Sequence, residues 1–68
     1  ETLVLAMCMA EIERVFADVP IDRGEVAALV ATLYQATIDA GNAEKTISEL
    51  GRAMRSGWDL AQRKQGHS

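Results

Sequence analysis

Near its start the chain carries a stretch that one small domain cannot hide: Leu3, Val4, Leu5, Met7, Cys8 and Met9. At about 100° per residue these six side chains point to every side of a helix. A segment apolar all round has to be buried all round, and the rest of a 68-residue chain covers only part of it. The remainder predicts a partner, and helix one is where that partner is expected.

Size sharpens the point. Domains this short are usually stapled by disulfides, a metal or self-association. Cys8 is the only cysteine, so no internal disulfide forms, and a free thiol fits a reducing compartment, the cytoplasm. His67, the only histidine, falls at the chain end and offers no metal site. Self-association is left, and a homodimer is the expected state. The chain begins at Glu1 in place of Met, which leaves room for upstream residues and for a role as a subunit fragment of a larger assembly. Leu3 to Ala10 has Glu1 where a signal segment has a basic flank, and it is far short of the roughly 20 residues that span a bilayer. No membrane association is expected.

Helical periodicity marks three segments, and no strand-period run, repeat or low-complexity tract interrupts them. The first is expected over Thr2 to Asp18, with Leu5, Cys8, Ile12, Val15 and Val19 in one stripe. Val19-Pro20-Ile21 ends it, because proline disfavours helical geometry before it and donates no hydrogen bond. Asp22, with Glu25 three residues on, has the form of a capping box that starts helix two. Its core stripe reads Val26, Leu29, Val30, Leu33, Tyr34 and Ile38, while Ala27, Ala28, Ala31, Ala36 and Ala40 line other faces and admit a close neighbour. Gly41 stops helix two and Asn42 caps the next helix. Helix three is expected over Ala43 to Arg63, its stripe being Ile47, Leu50, Met54, Trp58 and Ala61. Gly57 after Ser56 is a kink or early end, because glycine costs about 1 kcal/mol against alanine in a helix. The expected fold is all-α: three helices, or two long ones and a short third, in a dimeric bundle. Residues 1–62 form one domain and 63–68 a flexible tail.

Catalysis finds little support. Adjacent helical residues diverge, so Met7, Cys8 and Met9 do not converge on a soft metal ion, and methionine here reads as adaptable packing. Cys8 has apolar neighbours and no histidine near it to act as a base. Glu11 and Glu13, two apart, do not share a helix face. No phosphate loop and no nucleophile–histidine–carboxylate set is present, and no cofactor is expected. The reading that remains is a non-enzymatic protein–protein interaction module with a regulatory role, such as an antiactivator or adaptor that masks another protein, a transcription factor being one such partner. The interface or partner site is expected on Leu3, Leu5, Met7, Met9, Ile12 and Phe16, joined by Met54 and Trp58. Phe16, Tyr34 and Trp58 fall one to a helix and suit a shared core, but Trp58 with Arg55 one turn before it also has the make-up of a binding hot spot.

Charge is uneven. The net charge is −3, yet residues up to Glu44 carry −6 and those from Lys45 onward +3. Such ends suit a solvated surface, antiparallel self-association or an acidic partner. The stretch from Ala36 to Leu50 resembles the helix-turn-helix of phage-type repressors, with Gly41 in the turn, Ile47-Ser48 six residues later, and Ala40 and Leu50 at apolar positions. That resemblance covers fifteen residues and implies a DNA-binding regulator reading bases with Ala43 to Arg55 and contacting phosphates through Lys45, Arg52 and Arg55. The sequence departs from the pattern at Thr37 and Asn42 and in the length of helix two, and an acidic chain suits phosphate poorly.

Overall fold

A computed structural model describes residues 2–41 and 44–66, and it folds them into α1 (Thr2–Val15), α2 (Arg23–Asp39) and α3 (Glu44–Gly66), with no strand among the described residues. The all-α expectation holds in its three-helix form. The third helix is the longest, at 23 residues. Glu11 lies beside Gly51 and Val15 beside Arg55, so α1 and α3 run in the same direction. α2 returns between them and brings Thr37 back to Cys8.

Each boundary has a local cause. α1 ends at Val15, three residues before the expected Asp18, because Phe16 turns into the core and Phe16–Asp18 form a turn closed by the Val19 N–H donating to the Phe16 carbonyl at 3.0 Å. Asp22 caps α2 as expected: its backbone is extended (φ −82°, ψ 172°) and its carboxylate accepts from the Glu25 N–H at 2.8 Å. At the far end the Gly41 N–H donates to the Ile38 carbonyl at 3.2 Å with φ at +103°, a conformation that favours glycine. The expected cap at Asn42 and the expected helix start at Ala43 lie outside the described residues.

α3 departs from expectation twice. It passes through Gly57 without a break, since Trp58 packs on the core one residue later and holds the helix on course. It also continues past Gln62 to Gly66, so Arg63 to Gly66, assigned to a tail, are helical. Arg63 and Lys64 stand in the last turn, where positive charge offsets the helix dipole. All seven residues from Leu60 to Gly66 are exposed, so this end extends clear of the packed body.

The core joins Cys8, Ile12 and Phe16 to Val30 and Leu33 of α2 and Ile47 of α3. Thr37 is also fully buried, its hydroxyl 3.9 Å from the Cys8 sulfur. It takes the place expected for Ile38, which is exposed: from Leu33 a four-residue step stays on the inner face, and one more residue rotates away by about 100°. The radius of gyration is 12.3 Å, against about 11 Å for an average compact chain of this length.

Candidate functional site

α1 has two seams, and they are finished differently. Toward α3 the seam is closed where Gly51 meets Glu11 and, one turn further on, at Arg55. Gly51 is buried, and a Cβ there would stand 2.7 Å from Glu11 Cγ, so the helices approach at a spacing only glycine allows without displacing Glu11. Glu11 in turn accepts from the Arg14 guanidinium, which holds Arg14 charged still more firmly than usual.

Arg55 fastens the lower end of the same seam. Its Nη1 donates to the Val15 carbonyl at 2.6 Å and to Asp18 Oδ1 at 2.7 Å, its Nη2 to Asp18 Oδ2 at 3.2 Å, and its Nε to Asp59 Oδ1 at 2.9 Å. The guanidinium carbon also lies 5.7 Å from the Phe16 ring centre. Phe16 meets Trp58 edge to face, centroids 5.6 Å apart and planes at 85°. One arginine therefore satisfies a last-turn carbonyl of α1, anchors the following turn and covers the aromatic pair. Hydrogen bonds from Arg55 hold the Asp18 carboxyl below the usual carboxylate range, and the two aspartates raise Arg55 in return.

Toward α2 the seam is closed inside by Cys8, Ile12, Leu33 and Thr37 and open along its outer edge. Leu5, Met9 and Glu13 from α1 and Arg23, Val26, Ala27, Val30 and Ala31 from α2 line a groove of about 560 Å³. Leu5 is 41% exposed and Met9 48%. The groove is predominantly apolar, its α2 wall includes two alanines, and it carries one acid and one base, Glu13 and Arg23. Neither of these has an ion-pair partner among the described residues.

The expected interface residues thus separate. Leu5 and Met9 share the groove. Leu3, 71% exposed, stands on nearly the opposite side of α1 from Leu5. Met7 is half-buried in a smaller hollow of about 300 Å³ between α1 and the start of α3. Ile12 and Phe16, 1% and 4% exposed, belong to the domain's own core and leave the interface set, as one face of α1 has to pack inward first. Met54 and Trp58 are half-buried against that core. Of the phosphate-contacting candidates, Arg55 is engaged by Asp18, Asp59 and the Val15 carbonyl. Lys45 and Arg52 are exposed but share their face with Glu49. Ala27 and Ala31, which the sequence marked as a face that admits a close neighbour, form the α2 wall, while the charged pair Glu13 and Arg23 carried no sequence signal that placed it there.

No helix is long and apolar enough to cross a membrane, and no cluster of three metal-ligating side chains occurs, among the described residues. Comparison with known proteins gives no match: no family model, no curated sequence and no solved structure aligns significantly with the chain.

Proposed function

We propose that this chain is a non-catalytic helical module that docks a protein on the α1/α2 face and has a regulatory role, in the manner of a small antiactivator or adaptor. One observation carries the reading: Leu5 and Met9 stay half-exposed beside an alanine-walled groove, while the α1/α3 seam is closed at Gly51 and at Arg55. Apolar area covered by a partner contributes roughly 25 cal/mol per Å², so a groove of this kind favours occupancy by an apolar protein surface. The unpaired thiol suits a reducing cytoplasm.

The DNA-binding reading loses support because Arg55 is engaged by Asp18, Asp59 and the Val15 carbonyl, and Lys45 and Arg52 flank an acid. A photo-crosslinking residue placed at Met9, and in a control at exposed Ser56, tests the proposal in the source cells. Position 9 should give a discrete protein adduct and position 56 none. No adduct from position 9, or equal labelling from both, would contradict it.

A further inference from the structure

We infer that the protein seated in this groove is a second copy of the chain, an assignment that rests on the docking reading above and names its partner. The face is self-complementary in two independent ways. One wall offers long side chains, Leu5 and Met9, and the other offers the shallow surface of Ala27 and Ala31. The groove also carries one acid and one base, Glu13 and Arg23, each without an ion-pair partner in its own chain among the described residues. About a two-fold axis any contact between one subunit's α1 wall and the other's α2 wall is made twice. Leu5 and Met9 then fill the alanine hollow of the partner, and Glu13 of each chain meets the Arg23 position of the other, giving two equivalent ion pairs at the rim. An unrelated partner would have to match each of these features separately. The net charge of −3 per chain opposes pairing only weakly, since charges farther apart than about 10 Å are largely screened in 0.1 M salt.

Charge exchange tests the arrangement without touching the core. Sedimentation velocity over a micromolar concentration series should show a dimer for the native chain. Glu13→Arg and Arg23→Glu should each weaken it about tenfold, since each turns two attractions into two repulsions. The double variant Glu13→Arg/Arg23→Glu should restore the native affinity to within about threefold. Far-ultraviolet circular dichroism of each variant should match the native chain, because both positions are exposed. A monomer throughout the series overturns the inference, and so does a dimer that ignores both charges or is not rescued by the exchange. The two levels of failure separate. If the chain is monomeric and the adduct from position 9 is a different protein, the self-pairing falls and the docking function stands. If position 9 gives no adduct at all, both fall.

Discussion

The two seams of α1 show how a chain with little interior distributes its apolar residues. On the α3 side, closure depends on polar and small groups: a glycine that admits Glu11, and an arginine that satisfies a helix end and two aspartates. On the α2 side, larger apolar side chains are present, yet they stand half-exposed over alanines. Hydrophobicity alone therefore does not say which side of a helix is covered. Coverage follows from shape and from where the backbone's unmet hydrogen bonds find donors. The inner faces of both seams fix the fold, and the outer edge of the α1/α2 seam stays available.

The largest effect should come from deleting what α1 buries. Ile12→Ala removes a fully buried branched side chain and should cost about 2–5 kcal/mol in a denaturant melt, whereas Met9→Ala, measured in dilute monomer, should cost less than about 1 kcal/mol. Equal costs would mean that Met9 is as fully covered in the monomer as Ile12. Next comes the arginine fastening. Arg55→Ala should lower the melting temperature, and Asp18→Asn should do so in a pH-dependent way. Since Asp18 is held below the usual carboxylate range, its contribution is present above that range and is lost as pH falls through its depressed value. The difference in melting temperature between the native chain and Asp18→Asn should thus be largest at neutral pH and shrink in acid. A difference that does not change with pH would remove the ion pair from the account.

The two helical glycines of α3 sharpen the comparison further. At Gly57 no atom lies within 4 Å of an added Cβ, so Gly57→Ala should stabilise by about 0.5–1 kcal/mol. At Gly51 the same methyl group displaces Glu11, and Gly51→Ala should forfeit that gain and stand at least about 1 kcal/mol below Gly57→Ala. The smallest effect is expected at the overhanging end of α3, where Arg63→Ala should shift stability by less than about 0.5 kcal/mol.

Much of the fold was legible in the sequence because its signals are local. The Asp22 cap and Gly41 act within a few residues of themselves, and the structure uses both as read, whereas α1 ends five residues before Pro20. The excess of apolar surface on α1 was legible too, and Leu5 and Met9 remain uncovered. What could not be read was which side each residue would face, since that depends on three helices at once. Ile12 and Phe16 were open to two uses until α2 and α3 packed against them. Arg55 looked like a surface cation because its carbonyl and carboxylate partners lie about forty residues earlier in the chain. Gly57 was read as a break because its propensity is local, whereas the anchoring of Trp58 beside it is tertiary.

The central claim is that the open α2 side of α1 is covered in the working protein, and the methionines report on it directly. In dilute purified protein, Met9 is the more exposed, while Met7 and Met54 are partly buried against the core. Peroxide oxidation read by mass spectrometry should therefore modify Met9 fastest in the dilute chain. In the source cells Met9 should be slowed to the rate of Met54, with Met7 and Met54 unchanged between the two conditions. If Met9 is oxidised as fast in cells as in the dilute chain, the groove is unoccupied and the account of its function is wrong.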